Sequence, residues 1–221
     1  NPVGSVRGMA LPQGTNLVQA FIPVARIADM LLNPGESFDY NGQRLQYPDI
    51  RLVYWCGGNP FHHHQDLNRL VKAWQRPETI VVHEPWWNSH ARHADIVLPA
   101  TTPLERNDIG WQAADPVVLA MEQAIPPIGE ARNDYDIFSG LADRLGFKDS
   151  FTEGRTEQAW LRHLYDGFRS QFTRGSIDLP PFDEFWRAGR VTLPTKVEQK
   201  VLFAQFREDP VAHSLPTPSG R

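Results

Sequence analysis

Cysteine is almost absent from this sequence, since Cys56 is the single cysteine among 221 residues. One cysteine excludes an internal disulfide framework and any metal or cluster site built from several thiolates of this chain. No apolar run approaches the roughly 18 residues that a membrane-spanning helix requires, and the first residues show no signal-peptide pattern. Long blocks of one charge are also lacking, and the net charge is −4, so the overall charge gives no support to nucleic-acid binding.

The length allows one well-buried core with a smaller appended region, because single domains usually contain about 100 to 200 residues. The chain begins at Asn1 without a methionine and ends in "HSLPTPSGR", where a turn would lead into further chain. We therefore expect an internal piece of a larger polypeptide. On that expectation, the missing signal sequence says nothing about the compartment.

Three short apolar segments predict the strands of a parallel sheet. They are residues 50–55 (IRLVYW), 79–83 (TIVVH) and 95–98 (DIVL), each bounded by turn residues. Continuous apolar runs of this length are typical of strands that are buried on both faces.

Four further segments carry apolar residues at helical spacing. They lie at about residues 23–32, 66–74, 133–146 and 156–168. The second of these follows the first strand, so strand, helix and strand form a βαβ unit. Asn133 is placed to cap the third helix. Residues 99–133 show no regular spacing of apolar residues. The tail from residue 176 is proline-rich, and its sequence predicts only short ordered segments.

These elements predict an α/β fold with a three-layer, open, mostly parallel sheet and flanking helices. We assign this α/β domain to residues 1–149. A helical, irregular C-terminal region, residues 150–221, follows it and would connect to a further domain.

Polar groups follow each predicted strand. The turn Gly57-Gly58-Asn59-Pro60 follows the first strand, Glu84 follows the second, and Arg106 lies in the loop after the third. The carboxyl ends of parallel strands meet at one edge, where backbone N–H groups and helix N-termini bind ligands, and glycines let the backbone approach a phosphate closely. This predicts a nucleotide site. A bare strand-to-helix turn remains the alternative, because Gly-Gly is not a full glycine fingerprint and Asn-Pro is a common turn pair.

The triple histidine in "NPFHHHQD" raises the question of a metal site. His62 and His64 could reach one ion, with His90 and His93 as a second pair. No acidic or thiolate partner stands at a standard spacing, so we expect no protein-bound metal, and the turn histidines are interpreted as donors to backbone or phosphate. Cys56 is interpreted as a small buried hydrophobe.

Three longer motifs resemble, in order and spacing, the dimethyl sulfoxide reductase family of molybdenum enzymes. They are "VYWCGGNPFHHHQDLNRLVKAWQRPETIVVHE", "ARHADIVLPATTPLERNDI" and "EARNDYDIF" followed by "LADRLG". The chain is most similar to the branch of trimethylamine N-oxide, dimethyl sulfoxide and biotin sulfoxide reductases, and the resemblance covers nearly the whole chain.

The resemblance implies a domain that binds the guanosine and diphosphate end of one of two molybdopterin guanine dinucleotides. Carried over by position, the contacts would be Gly57, Gly58, Asn59, His63, His83, Glu84, Arg106 and Asp136. Arg106 can neutralise a diphosphate with a bidentate fork, Glu84 suits ribose hydroxyls, and Asp136 can accept two hydrogen bonds from a guanine edge. The molybdenum ligand of this branch is a serine outside this chain, so no catalytic and no metal-binding residue is assigned here.

Several of these residues have a structural alternative. Asp136 could complete a cap with Asn133 and favour the helix dipole. Arg106 could pair with Glu105 or Asp108 on a solvated loop. Trp86 and Trp87 could wall the cofactor cleft, although core packing is expected for at least one of them.

For the whole polypeptide, the resemblance implies reduction of biotin sulfoxide, dimethyl sulfoxide or trimethylamine N-oxide by oxygen-atom transfer at bis(molybdopterin guanine dinucleotide) with molybdenum. The implied partners are the remaining domains, an electron donor protein or reductant, and the small-molecule oxide. The compartment would be the cytoplasm for a biotin sulfoxide reductase and the periplasm for the other two. The isolated chain is expected to lack turnover, and a non-catalytic nucleotide-binding or interaction module with the same fold is the alternative.

Overall fold

A computed structural model describes residues 8–18, 21–112, 115–173, 178–194, 201–217 and 219–221, apart from the side chain of residue 173. The helices in these ranges are α1 Ile27–Leu32, α2 Pro60–His63, α3 Leu67–Ala73, α4 Ser89–Arg92, α5 Asp134–Arg144, α6 Lys148–Thr152, α7 Glu157–Thr173, α8 Phe182–Ala188 and α9 Ala204–Glu208, with a 3-10 turn, Val24–Arg26, before α1. The strands are β1 Ser37–Tyr40, β2 Gln43–Gln46, β3 Leu52–Cys56, β4 Thr79–His83, β5 Ile96–Leu98, β6 Asp108–Gly110, β7 Val117–Met121 and β8 Arg190–Thr192. No helix in the described ranges has the length and apolar character needed to cross a membrane.

Strands β3, β4 and β5 form the parallel sheet that the three apolar segments predict. β4 lies in the centre, with β3 and β5 on its two sides. Cys56 at the end of β3 pairs with His83 at the end of β4, and His83 also pairs with Leu98 at the end of β5. The three strands therefore end side by side and bring their following loops to one edge. The prediction of an α/β fold with a βαβ unit is confirmed.

One face of this sheet is covered by α1 and α3. Leu70 and Ala73 of α3 and the following Trp74 are at most 3% exposed. They pack with Ile80 and Val82 of β4 in one apolar cluster. Burial of a large apolar side chain stabilises a fold by roughly 1.5–3 kcal/mol relative to exposure. This cluster therefore fixes the position of α3 against the sheet.

The other face of the sheet is covered only in part, by α5. The Phe138 ring lies 5.8 Å from the ring of Tyr54 and 5.0 Å from that of His83, measured between centroids. Leu52 and Ile96 remain 57% and 47% exposed. The expectation of burial on both faces is therefore wrong for β3 and β5, and it holds only for β4, whose residues 80–83 are all buried.

A second core joins α7 and α8 to an antiparallel sheet in the order β6, β7, β8. Tyr165, Phe185 and Val118 are each fully buried in it. The sequence predicts only irregular structure at residues 99–133. This prediction is wrong where the strands β6 and β7 form. Their pattern is weak because β6 has three residues that include Gly110, and β7 is fully buried at Val118 alone.

The described region after residue 150 is mainly helical with irregular links, as predicted, but it also contains the strand β8, which the sequence did not predict. α8 follows Pro181 and ends at Gly189, whose φ of 75° suits a residue without a Cβ atom. Residues 174–177 and 195–200 lie outside the described part of the chain. The second core takes residues from both sides of the expected boundary at residue 149, and that boundary stays a prediction.

Glu105 joins two loops beside the carboxyl edge of the parallel sheet. It is 4% exposed, and it accepts hydrogen bonds from the backbone N–H and the hydroxyl of Thr102 and from the backbone N–H of Ile128, each 2.7 Å long. These hydrogen bonds, first of all the one from the Thr102 backbone, lower the pKa of Glu105. The donors replace the water that burial removes, so the carboxylate stays ionised.

We predict that Glu105→Gln lowers the Tm of the chain at neutral pH, because an amide nitrogen facing these donors leaves a buried N–H without an acceptor. The pKa of Glu105 is lower in the folded chain than in the unfolded chain. Its contribution is therefore complete above the unfolded-state pKa of about 4.3 and is lost as the pH falls through the folded-state pKa.

Thermal unfolding followed by circular dichroism should show a Tm difference between wild type and variant that shrinks in acid. Glu122→Gln is the control, because Glu122 is exposed. A Tm difference that persists unchanged as the pH is lowered would contradict the assigned role of the charge.

Candidate functional site

A cavity of about 690 Å³ lies at the carboxyl edge of the parallel sheet. Gly57 after β3 and His83 at the end of β4 line it, together with Arg106 from the loop after β5 and Asp134 at the start of α5. Three strand ends and one helix therefore contribute polar groups to one space. Of the predicted residues, the cavity brings together Gly57, His83 and Arg106.

The Gly57-Gly58 turn begins the cavity wall. Both glycines have positive φ, 75° and 72°, a backbone region that side chains with a Cβ atom rarely adopt. The indole N–H of Trp55 donates to the carbonyl of Gly57 at 2.8 Å. Asn59 then caps the short helix α2, because its side-chain oxygen accepts from the N–H of Phe61 at 3.0 Å. The side-chain oxygen of Asn59 therefore already has a hydrogen-bond partner at the start of α2.

His83 is held from both sides of its ring. Its side chain is 2% exposed, and Nδ1 lies 2.6 Å from a carboxylate oxygen of Asp134. Nε2 lies 2.8 Å from the hydroxyl of Tyr54. A neutral imidazole satisfies both contacts, because its Nδ1–H can donate to the carboxylate while Nε2 accepts from the hydroxyl. Burial, above all, raises the pKa of Tyr54, so this hydroxyl keeps its proton at neutral pH.

Asp134 is a cavity residue that the sequence analysis did not select. It lines the cavity, and its side chain is 51% exposed. The predicted Asp136 is exposed and lines a neighbouring groove of about 520 Å³ between α5 and the second face of the sheet. Two residues along a helix are separated by about 200°, so only one of the two carboxylates can face the cavity. The segment "NDYD" contains both carboxylates, but the sequence alone does not show which of them faces the cavity.

The start of α5 is not capped by a side chain. Asn133 occupies the predicted cap position but makes no capping hydrogen bond. Its side chain instead accepts from the hydroxyl of Thr101 at 2.8 Å and donates to the carboxylate of Glu157 at 2.7 Å. Asn133 therefore ties the loop after β5 to the start of α7.

Arg106 lines the cavity, and its own loop holds its side chain in place. Its Nε and one terminal nitrogen contact a carboxylate oxygen of Asp108 at 3.2 and 3.1 Å, and the other terminal nitrogen donates to the carbonyl of Thr101 at 2.7 Å. Of the two pairings considered as alternatives for Arg106, with Glu105 or with Asp108, the structure shows the one with Asp108. Three of the five guanidinium N–H groups are engaged in this way, which leaves two that can meet a ligand.

Five predicted residues do not line this cavity. Gly58 and Asn59 follow Gly57 in the turn, and the other three are Glu84, His63 and Asp136. Glu84 is 9% exposed, and one of its carboxylate oxygens accepts from the N–H of Trp86 at 3.4 Å. His63 is exposed on α2, where its ring contacts His62. Asp136 lies in the neighbouring groove, as described above.

Much of the remaining wall of the cavity is apolar. Trp86, Leu104, Ile125 and Ile128 line it, and each is at least 40% exposed. Trp86 and Trp87 are 67% and 66% exposed, so the expectation that one of them packs in the core is wrong.

Cys56, next to Gly57, is exposed, and its interpretation as a buried hydrophobe is also wrong. Partial burial and, secondly, the charge of Asp134 raise the pKa of this thiol to about 11.

The histidines are distributed over separate contacts. His93 stacks on Phe61 at 4.3 Å, and its Nδ1–H donates to the carbonyl of Ser89 at 2.7 Å. His90 is fully buried among aromatic rings. Within the described ranges, no group of three or more His, Cys, Asp or Glu residues is placed to hold a metal ion.

The arrangement is suited to a ligand with an anionic part and a flat, polar ring. The cavity lining combines Gly57 of the turn, the guanidinium of Arg106, the carboxylate of Asp134 at the start of α5, and several apolar side chains. Binding pockets for cofactors combine an apolar lining with a few placed polar groups in this way.

Comparison with known proteins gives close relatives over most of the chain. It is 53% identical over 212 residues to the biotin sulfoxide reductase of Cereibacter sphaeroides, which covers 96% of this chain and 28% of that protein. It is 51% identical over 202 residues to the dimethyl sulfoxide/trimethylamine N-oxide reductase of Rhodobacter capsulatus, with 90% and 24% covered. It is 47% identical over 205 residues to the trimethylamine-N-oxide reductase of Haemophilus influenzae, with 90% and 25% covered. The chain thus spans about a quarter of the length of these relatives.

Among solved structures, the acetylene hydratase from Pelobacter acetylenicus matches with a TM-score of 0.50 and 21% identity, over 79% of this chain and 21% of that one. This match supports the fold alone. The family model for molybdopterin oxidoreductases matches residues 3–144. Since that range is more than half of the chain, and since its fold and its motifs agree with the match, the chain belongs to the molybdopterin oxidoreductase family.

Proposed function

We propose that this chain binds the guanosine diphosphate end of a molybdopterin guanine dinucleotide, as one part of a larger enzyme that reduces S-oxides or N-oxides. The observation that carries this proposal is the single cavity lined by Gly57, His83, Arg106 and Asp134. The names of the sulfoxide and N-oxide reductases that match nearly the whole chain support it.

The phosphate end of the ligand fits the wall formed by the Gly-Gly turn and Arg106. The N–H groups of Gly58 and Asn59 donate to no acceptor in the described part of the chain. Arg106 keeps two N–H groups beyond those bound to Asp108 and Thr101. Charge-assisted hydrogen bonds to phosphate are among the stronger polar contacts in proteins. Together these groups can bind a diphosphate.

The base end fits Asp134. A guanine presents adjacent N–H donors, and a carboxylate oriented by a hydrogen bond can accept both. The contact with His83 orients the Asp134 carboxylate, while its exposed fraction of 51% leaves it able to meet a ligand. Trp86 on the apolar wall offers a face for the flat ring. Glu84 and His63 stay predicted contacts, and the predicted base contact of Asp136 is the alternative to that of Asp134.

These residues fit the cofactor that the family implies, since donors, carboxylate and apolar wall match diphosphate, guanine edge and ring. When bound, the molybdenum of bis(molybdopterin guanine dinucleotide) supplies oxygen-atom transfer. The role of this chain is to bind and orient the nucleotide end. The electron donor, the molybdenum ligand and the oxide substrate belong to the proposal for the whole polypeptide.

We predict that the full-length protein reduces at least one of biotin sulfoxide, methionine sulfoxide, dimethyl sulfoxide and trimethylamine N-oxide, and that the 221-residue chain alone reduces none. Oxidation of a reduced viologen dye by each oxide measures the activity. A full-length protein that carries molybdenum and yet turns over no member of this panel would contradict the reductase assignment.

We predict that GDP raises the Tm of the chain and that Arg106→Ala abolishes the increase, because the variant loses the guanidinium and leaves Asp108 without its partner beside the diphosphate. Differential scanning fluorimetry with millimolar GDP measures the shift. Arg144→Ala is the matched control, since Arg144 is exposed and lines only the neighbouring groove. A GDP shift that Arg106→Ala leaves undiminished would remove Arg106 from the site.

We predict that Asp134→Asn lowers GDP affinity by at least roughly tenfold and raises affinity for xanthosine diphosphate. An asparagine oxygen and NH₂ group complement xanthine, which carries an acceptor where guanine carries its amino group. Asp136→Asn, two residues later on the same helix, is the control and should change neither affinity.

Isothermal titration with both nucleotides measures this change of specificity. If Asp136→Asn changes the base preference and Asp134→Asn does not, the guanine contact belongs to the residue that the sequence analysis selected.

A further inference from the structure

Two consecutive hydrogen bonds link Tyr54 on β3 to Asp134 at the start of α5. The hydroxyl of Tyr54 lies 2.8 Å from Nε2 of His83, and Nδ1 of the same ring lies 2.6 Å from a carboxylate oxygen of Asp134. His83 and Asp134 line the cavity, whereas Tyr54 lies behind His83 and lines the neighbouring groove. The hydroxyl of Tyr54 therefore reaches the cavity through the imidazole of His83.

The carboxylate of Asp134 is held at one of its two oxygens. The contact with His83 involves Oδ1, and Oδ2 accepts no hydrogen bond from the residues that the structure describes. The side chain is 51% exposed and lines the cavity. A carboxylate that is held at one oxygen loses rotational freedom, so its other oxygen is presented in a narrower range of directions.

The hydroxyl of Tyr54 acts on the proton of His83. A neutral imidazole has one N–H and one acceptor nitrogen. A hydroxyl that donates to Nε2 favours the tautomer with its proton on Nδ1, and this is the tautomer that donates to Asp134. The side chain of His83 is only 2% exposed, so water has little access to replace the hydroxyl. The rings of Tyr54 and Phe138 pack against the imidazole, but packing does not select a tautomer.

We propose that Tyr54 is a positioning residue for base recognition: its hydroxyl holds His83 in the tautomer that donates to Asp134, and thereby presents Oδ2 of Asp134 to the amino group of guanine. This inference rests on the proposed nucleotide site and deepens it. Asp134 touches the ligand, and Tyr54 acts on it through His83.

A base-specific measurement distinguishes this role from simple packing. GDP and inosine diphosphate differ only in the exocyclic amino group of the base, so the ratio of their affinities reports on the contact with that group. Only folded chains bind either nucleotide. A variant that is partly unfolded therefore loses apparent affinity for both nucleotides and keeps the ratio.

Three variants separate the hydroxyl from its surroundings. Tyr54→Phe removes the hydroxyl and keeps the ring. Tyr135→Phe is the matched control, because Tyr135 directly follows Asp134 on α5 and its hydroxyl donates to the carbonyl of Arg155. His83→Asn tests the route, because its amide nitrogen can take the place of Nδ1 while no atom takes the place of Nε2.

The experiment measures binding of GDP and inosine diphosphate to the complete chain by ligand-observed NMR, which tolerates weak affinity. We expect Tyr54→Phe to reduce the ratio of GDP affinity to inosine diphosphate affinity by roughly threefold, about the effect of one hydrogen bond. Tyr135→Phe should leave the ratio unchanged, and His83→Asn should keep part of the preference for GDP. Added to His83→Asn, Tyr54→Phe should have no further effect, as expected for two residues that act in series.

An unchanged ratio in Tyr54→Phe, or an equal fall in Tyr135→Phe, would overturn the positioning role while leaving the nucleotide site in place. An undiminished effect of Tyr54→Phe beside His83→Asn would do the same, because Tyr54 would then act without His83. If His83→Asn loses all preference, a donor at the place of Nδ1 is not what presents Asp134, and the inference is wrong.

The wild-type chain separates this inference from the proposed function. Equal affinity for GDP and inosine diphosphate would remove the amino contact, and this inference with it, while the nucleotide site stands. A chain that binds neither nucleotide would overturn the proposed function as well.

Discussion

The hydrogen bond between His83 and Asp134 is the contact on which the cavity depends. It joins the end of the central strand to the first residue of α5 across 51 positions of sequence. The His83 side chain is almost fully buried, so its ring has one orientation, and the hydroxyl of Tyr54 fixes the opposite nitrogen. A buried imidazole whose two nitrogens both have hydrogen-bond partners fixes the positions of the neighbouring elements more strictly than apolar packing does. The wall contributed by α5 is therefore set relative to the wall contributed by the sheet.

The loops around the cavity have little regular structure, and buried side-chain hydrogen bonds hold them instead. Glu105 connects the loop after β5 to the backbone of Ile128, and Asn133 connects the same loop to Glu157 at the start of α7. Glu105 accepts from the backbone N–H groups of Thr102 and Ile128, which a strand or a helix would otherwise pair, and Asn133 adds a link between side chains. This is how an irregular segment can present Arg106 at a fixed place without a helix beneath it.

The sequence was most informative where one element carried its own signal. The three apolar segments predicted the parallel strands to within two residues, and the Gly-Gly turn was located correctly because positive φ favours glycine.

The choice between Asp134 and Asp136 could not be made from the sequence, because it depends on the rotation of α5 about its axis, which packing sets. The burial of Glu84 and the exposure of Trp86 likewise depend on loops whose path no local pattern encodes. β6 and β7 were missed because their burial arises mainly from contacts with α7 and α8, which are distant in sequence.

Cys56 illustrates a chemical consequence of this layout. It sits at the strand end beside the cavity, where an exposed thiol would be open to alkylation and oxidation. The thiolate is the reactive form, and with a pKa of about 11 only about one thiol in ten thousand is ionised at pH 7. The negative charge of Asp134 contributes to this suppression. Partial burial and, secondly, the carboxylate of Asp134 therefore lower the reactivity of this sulfur toward electrophiles and peroxides.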